Sequence, residues 1–149
     1  MSEEKLISSA VEAYIDFYER LTPESVEQID ELCAPEVRFR DPFNDIKGVV
    51  AYRAILTKMF ADVRDPRFNI VDHAISGQVA YLRWNFSFEA RKDGTPWRIE
   101  GMTEVHFDEQ GRVTAHLDHW DSGSQFYGRL PILRSLINLV RRRLSVRSH

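Results

Sequence analysis

The chain has 149 residues, 43% of them hydrophobic and 29% charged, with a formal net charge of −3. This length suits one domain whose core needs no disulfide or metal, and the composition is typical of soluble globular proteins. Cys33 is the single cysteine, which excludes an internal disulfide and a zinc pattern. The first residues lack the pattern of a signal peptide, and no apolar run approaches the ~18 residues of a membrane span. We therefore expect a reducing cytoplasm as the location.

The charge is distributed unevenly along the chain. Residues 1–121 hold 14 basic and 23 acidic residues, whereas residues 122–149 hold six arginines and no acid. An acidic body is a poor partner for nucleic acid, so we expect no nucleic-acid binding. Only the C-terminal tail could attract an anionic surface.

The first half of the chain has the apolar spacing of helices. Residues 4–21 have this spacing, with Tyr14 inside the apolar stripe. A second helix is expected to begin at Thr22-Pro23 and to end at Pro35, with Cys33 on its apolar side as a reduced core thiol. A short strand over 37–40 stops at Asp41-Pro42, and a third helix follows over about 49–63.

Beyond Asp65-Pro66 the apolar period changes to that of strands. Four runs, near 67–75, 79–91, 97–107 and 112–121, are separated by short turn signals and predict an antiparallel meander. A last helix is expected near 130–144. The order predicts an α+β fold in which three N-terminal helices cover a strongly curved, mostly antiparallel sheet and enclose an apolar pocket. We expect residues 1–128 to form this domain and residues 129–149 to form a C-terminal basic amphipathic helix and tail.

Alternation along the long strands predicts which residues face the helices. Trp84 and Phe86 share the apolar side of the second run. The last run carries ionisable groups on both sides, so periodicity leaves open whether His116, Asp118 and Trp120 or the alternate residues face inward. A buried carboxylate beside an imidazole could be a general base, or both groups could be structural.

Two further polar residues are candidates for the site. Asp41 continues the apolar side of the first strand and could lie at the rim of a pocket, or it could be a turn residue beside its proline. Tyr14 could donate a hydrogen bond to a substrate oxygen, or it could be a buried phenol with one structural partner.

The chain resembles the NTF2-like superfamily, which includes SnoaL-like polyketide cyclases, limonene-epoxide hydrolases and ketosteroid isomerases. The resemblance depends on the element order and on VRFRDPF at 37–43, WRIEGMTEVHF at 97–107 and VTAHLDHWD at 113–121. It implies a cone-shaped fold, a small hydrophobic ligand, no cofactor, and a homodimer formed through the outer side of the sheet, which could equally be a solvated face with ion pairs. It also favours the inward orientation of His116, Asp118 and Trp120. The His and Asp residues at 116–121 alternate between the two faces of the strand, so we expect no metal site.

The resemblance to individual subfamilies is incomplete. Asp41 and Tyr14 match the base and the tyrosine of ketosteroid isomerases, but Thr103 replaces their second acid. Asp118 matches the final-strand aspartate of the epoxide hydrolases, whose Arg-x-Asp pair is replaced by Arg83-Trp84-Asn85. The catalytic candidates are therefore Asp118, Asp41, His116 and Tyr14, and the expected ligand-binding residues are Trp84, Phe86, Thr103, Trp120, Phe43 and Met59.

Two functions remain open for such a chain. The first is a cofactor-free isomerase, cyclase or hydrolase, and the second is a non-catalytic carrier or sensor of an apolar ligand. The C-terminal helix, with its apolar stripe and four arginines, could pack over the pocket or a partner, or it could lie on an anionic membrane.

Overall fold

The computed structural model describes residues 2–145. Its helices are α1 (Glu3–Glu19), α2 (Ile29–Leu32), α3 (Val49–Asp62), α4 (Ser122–Gln125) and α5 (Pro131–Leu144), with 3-10 turns at Val26–Gln28 and Tyr127–Arg129. Its strands are β1 (Cys33–Arg40), β2 (Asp45–Lys47), β3 (Val63–Ser76), β4 (Val79–Ala90), β5 (Pro96–Phe107) and β6 (Val113–His119).

The six strands form one curved, unclosed sheet in the order β2-β1-β6-β5-β4-β3. β3 to β6 are antiparallel neighbours, as the short turns between them predict, whereas β1 runs parallel to β6. The α+β class and the mostly antiparallel sheet are thus confirmed. The parallel pair brings the N-terminal half of the chain beside its last strand.

Helix α1 forms as its sequence predicts. Ser2 caps it by accepting a hydrogen bond from the Lys5 backbone N–H at 3.3 Å. Its apolar stripe, including Ile7, Val11 and Tyr14, is buried in the core. Because this stripe includes Tyr14, the packing of α1 against the core also buries the Tyr14 hydroxyl.

The second helix, expected from Thr22-Pro23 to Pro35, is wrong at both ends. Only a 3-10 turn and the four-residue α2 form, and Cys33 already belongs to β1, where it is buried as expected. Pro35 lies within this strand instead of ending a helix. The strand β2 was not predicted, because three residues are too few to show an alternating pattern.

Strand β3 begins earlier than the sequence indicates. Asp65-Pro66 lies inside it, at an interruption of the register between Arg64 and Arg67, and Asp65 has a left-handed φ of 50°. An aspartate before a proline therefore marks a bulge here and not the end of an element.

The chain divides into one compact unit that ends at His119 and a second that begins at Trp120. In the second unit, Asp121 caps α4 by accepting a hydrogen bond from the Ser124 backbone N–H at 3.0 Å. The boundary expected between residues 128 and 129 falls inside this unit. Among the described helices, none is long and apolar enough to cross a membrane.

Candidate functional site

A chain of polar side chains lies on the helix-facing side of the sheet. β5 and β6 pair so that Thr103 is opposite Asp118 and Val105 is opposite His116. Thr103, Val105 and His116 are all buried. His116 and Asp118 therefore face the helices, and Leu117 and His119 face outward. The alternation that periodicity left open is settled by this register.

The Asp118 carboxylate accepts two hydrogen bonds on a single oxygen. Its Oδ1 lies 2.5 Å from the Thr103 hydroxyl and 2.8 Å from His116 Nε2. The Trp84 indole N–H, which can only donate, is 2.8 Å from Thr103 Oγ1. Thr103 therefore accepts from Trp84 and donates to Asp118, so the direction of these hydrogen bonds is set by the indole.

His116 connects this carboxylate to a group of phenols. Its Nδ1 lies 2.6 Å from the Tyr14 hydroxyl and 3.2 Å from the Tyr52 hydroxyl, and its ring stacks on Phe39 with a centroid distance of 5.0 Å. In both charge states of the ring, Nε2–H donates to Asp118. A neutral ring then accepts a hydrogen bond from a tyrosine hydroxyl at Nδ1, whereas a cationic ring donates one from Nδ1–H. In either charge state, both ring nitrogens of His116 have a hydrogen-bond partner.

Three tyrosines form the buried end of the chain. The hydroxyls of Tyr14 and Tyr52 are 2.6 Å apart, and Tyr52 also bonds Tyr18. Burial raises the pKa of all three phenols well above the ordinary value of 10.0. The three phenols therefore stay un-ionised and act as hydrogen-bonding groups, not as acids.

Tyr18 and Tyr52 were not among the residues predicted for the site. Tyr18 follows Tyr14 by one helical turn and shares its stripe, which is a signal that the sequence does contain. Tyr52 is an aromatic residue in an apolar helix, and nothing local indicates that it meets residues from α1 and β6. Its place depends on tertiary packing.

The side chains of this hydrogen-bonded cluster differ in how exposed they are. The side chain of Asp118 is 16% exposed and that of His116 is 5% exposed, while Tyr14 is 1% exposed. Tyr14 thus lies behind His116 and touches it directly. The accessible part of the cluster is the Asp118 carboxylate.

The structure places Asp41 in a tight turn. Its Oδ1 accepts hydrogen bonds from the backbone N–H groups of Phe43 and Asn44, at 2.8 and 2.7 Å, and from the Asn44 side chain at 3.1 Å. The Asp41 carboxylate therefore stabilises the turn, which is one of the two roles that the sequence left open. Its hydrogen bonds do not join Asp41 to Asp118.

The expected ligand-binding residues are distributed over several places. Trp84 and Thr103 belong to the polar chain, and half-buried Phe86 lies in an aromatic row with centroid distances of 4.4 Å to Phe68 and 5.1 Å to Phe88. Met59 is half-buried on α3, and Phe43 is 51% exposed. Trp120 belongs to the second compact unit. The aromatic row supplies the apolar surface on this side of the sheet.

The other side of the sheet has a different character. It carries exposed Arg83, so the Arg-x-Asn sequence does not bring a guanidinium to Asp118. An open groove of about 770 Å³ lies there along β1, β2 and β6, and its lining includes Glu36, Arg38, Asp45 and Lys47. This groove lies on the side of the sheet opposite to the predicted apolar pocket, so that pocket stays a prediction. Within residues 2–145, no three His, Cys, Asp or Glu side chains are grouped as metal ligands.

Solved structures with the same fold include proteins of several activities. An epoxide hydrolase of M. tuberculosis described as LEH-like has a TM-score of 0.66 at 20% identity, over 93% of this chain and 97% of that one. A putative polyketide cyclase of Xanthomonas campestris has a TM-score of 0.66 at 14% identity, over 80% and 93%. A protein of Catenulispora acidiphila with a ketosteroid isomerase-like fold, in complex with trimethylamine, has a TM-score of 0.66 at 14% identity, over 78% and 88%.

Sequence comparison gives a more direct assignment. No curated protein matches the chain, but the profile of the SnoaL-like domain matches residues 14–116. The match begins at the first residue of the polar chain, Tyr14, and ends at His116, two residues before Asp118. Together with the NTF2-like fold of its structural neighbours, this match shows that the chain belongs to the SnoaL-like domain family.

Proposed function

We propose that the chain is a cofactor-free enzyme that acts on a small hydrophobic molecule, with Asp118 as its general base. The observation that carries the proposal is the asymmetry of this carboxylate. Both of its hydrogen bonds end on Oδ1, and the side chain keeps 16% of its surface accessible in an otherwise buried cluster. Oδ2 is therefore the oxygen that a ligand would meet.

The hydrogen bonds around Asp118 suit a base. A carboxylate held by two partners is oriented before the substrate arrives. Oδ2 would take a proton from a carbon beside a carbonyl, leaving the bonding electrons on the enolate, and would return the proton to another atom of the same molecule. In a hydrolase, the same oxygen would instead take a proton from water as the water attacks an epoxide carbon or an ester carbonyl; the C–O bond of the epoxide or ester then breaks, and the proton passes to the oxygen that leaves. Both routes regenerate the carboxylate and need no cofactor.

His116 and Tyr14 would then be positioning residues. His116 holds the occupied oxygen of Asp118, and Tyr14 holds the other nitrogen of His116. Because both are almost fully buried, their effect on a substrate would pass through the carboxylate. The aromatic row formed by Phe68, Phe86 and Phe88 supports an apolar substrate, since flat apolar surfaces bind such molecules without specific polar partners.

A non-catalytic carrier of an apolar ligand is the second candidate. It is favoured by the complete pairing of the cluster, because no buried side-chain polar atom in the described residues lacks a hydrogen-bond partner. A cluster of this kind could serve only to maintain the fold around a binding surface.

One set of variants distinguishes the two functions. Thermal-shift screening against steroids, terpenoid epoxides, lactones, polyketide-like ketones and fatty acids would identify the ligand class. Asp118→Asn keeps the shape of the side chain and removes the base, so an enzyme would lose about 10²–10⁴-fold in turnover while retaining the ligand-induced shift. Exposed Asp72 on β3 provides the matched control, Asp72→Asn.

The result for proton transfer can be read directly. Wild-type protein in D2O would exchange the acidic C–H of a bound ketone for deuterium, and Asp118→Asn would not. If no ligand class raises the midpoint and Asp118→Asn is strongly destabilised, the carboxylate is structural and the proposal fails. If a ligand binds and the variant turns it over normally, the base is another group.

We further propose a homodimer in the cytoplasm. The outer face of the sheet exposes Tyr81 and Met102, at 39% and 44%, which provides apolar surface for a second copy. The unpaired buried Cys33 suits a reducing compartment. Light scattering of wild type and Met102→Lys would test the dimer, which the substitution should dissociate.

A further inference from the structure

Helix α5 has two chemically distinct sides. At 100° per residue, the side chains of Leu133, Leu136, Ile137, Val140 and Leu144 fall within an arc of about 100°. Leu136, Val140 and Leu144 are 56%, 55% and 78% exposed. The helix therefore presents a continuous apolar stripe that remains accessible along its length.

Arginines border this stripe on both sides. On the same helical projection, Arg134 and Arg141 flank one edge of the stripe, and Arg143 lies on its other side, between Leu136 and the exposed Leu139. All three are exposed, and within residues 2–145 no ion pair joins them to an acid. The segment from Ser122 onward contains no acidic residue at all. Asp121 interacts electrostatically with Arg141, and the remaining positive charge of the helix lies beside its apolar stripe.

This pattern discriminates between classes of partner. A polyanion such as nucleic acid would attract the arginines but would leave the leucines in water. A protein groove would bury the leucines but would not require arginines on both borders and the absence of any acid. An anionic bilayer satisfies both features, because lipid tails receive the stripe while long arginine side chains reach the headgroups.

We infer that α5 docks the chain onto an anionic phospholipid surface, lying parallel to it with the Leu136–Val140–Leu144 stripe in the interface. The helix has 14 residues, about 21 Å at 1.5 Å per residue, so it lies on the surface and does not span it. The inference does not depend on the proposed catalytic function.

Flotation of the full chain with vesicles provides the first test. Binding is expected to vesicles of equal parts phosphatidylglycerol and phosphatidylcholine, to weaken with salt, and to be much weaker with phosphatidylcholine alone. An arginine near an anionic surface is worth roughly fivefold in affinity, so Arg134→Gln/Arg143→Gln should weaken binding about 25-fold. Arg20→Gln/Arg98→Gln removes the same charge from the first unit and should have little effect.

The orientation of the helix is tested by fluorescence. Burial raises the pKa of the Cys33 thiol to about 12, so an environment-sensitive thiol dye would label Leu136→Cys or Asn138→Cys selectively. Vesicles should shift the emission of the dye at position 136 to the blue and leave it unchanged at 138, on the polar side.

Three outcomes would overturn the inference. The first is an absence of binding to anionic vesicles, and the second is equal binding to neutral ones with no effect of the arginine substitutions. The third is a blue shift at position 136 that occurs without vesicles and depends on protein concentration, because the stripe would then cover a second copy of the chain.

Discussion

Replacing Thr103 by valine tests the direction of the hydrogen-bond chain without any knowledge of the substrate. Valine keeps the shape of threonine but cannot accept from Trp84 or donate to Asp118. Trp84 is 7% exposed, and a buried N–H left without a partner costs about 1–3 kcal/mol. With the lost donor to Asp118 added, we expect Thr103→Val to lower the free energy of unfolding by about 2–4 kcal/mol.

Urea unfolding of the wild type and four variants (Thr103→Val, Thr103→Ser, Trp84→Phe and Trp84→Phe/Thr103→Val) gives the magnitude. Thr103→Ser keeps the hydroxyl and loses one methyl group, so it should cost only about 1 kcal/mol. In a Trp84→Phe background no indole N–H is left unpaired, and Thr103→Val should then cost about 1–2 kcal/mol less than in the wild type. Each kcal/mol corresponds to a fall of about 2–4 °C in Tm for a chain of this size.

Two results would refute this reasoning. Equal destabilisation by the valine and serine substitutions would mean that the hydroxyl is not used as described. Equal effects of Thr103→Val in the two backgrounds would mean that Trp84 does not donate to Thr103, and the orientation assigned to the Asp118 carboxylate would lose its support.

Three further predictions concern other parts of the chain. The raised pKa of Tyr14, Tyr18 and Tyr52 means that the unfolded chain releases three phenolic protons above pH 10 that the native chain retains; stability should be unaffected below pH 10 and fall by about 4 kcal/mol per pH unit above it. Absorbance at alkaline pH should show that Tyr14, Tyr18 and Tyr52 stay un-ionised until the protein unfolds, and ionisation of these three phenols in the native state would contradict the buried network. Cys33 is buried, which raises the pKa of its thiol, so it should react with Ellman's reagent only as the protein unfolds, and a rapid reaction in the native state would show that it is accessible. Asp41→Asn retains the turn acceptor and should be nearly neutral in urea unfolding, whereas Asp41→Ala should cost about 1–2 kcal/mol; equal stabilities of the two variants would show that the turn does not need a side-chain oxygen acceptor.

The fold was predictable wherever a long periodic pattern met a clear turn signal. The stripe around Tyr14 and the alternation of Trp84 and Phe86 both reflect burial on one side of a regular element. The pattern failed around Cys33 and Pro35, where an apolar segment too short to distinguish helix from strand takes the conformation of its neighbour. There the pairing with β6 decides, and no local signal contains it.

The site was predictable in its residues but not in its connections. Asp118 and His116 could be selected because ionisable groups two residues apart on an apolar strand are unusual. That Thr103 links Asp118 to Trp84, and that Tyr52 meets His116, depends on register and on helix packing. Such contacts join positions that are distant in sequence, so a single chain read alone cannot reveal them.

The parallel pairing of β1 with β6 has a consequence for how the protein is made. The hydrogen bond between Tyr14 and His116 joins residues 102 positions apart, and β1 has only the three-residue β2 as its other neighbour. During synthesis, the first strand and the first helix leave the ribosome long before their partner strand exists. Contacts of such separation are slow to form because a long loop must close first. The nascent chain must therefore keep β1 without its parallel partner until β6 emerges, which makes β1 the segment that chaperones would be expected to bind.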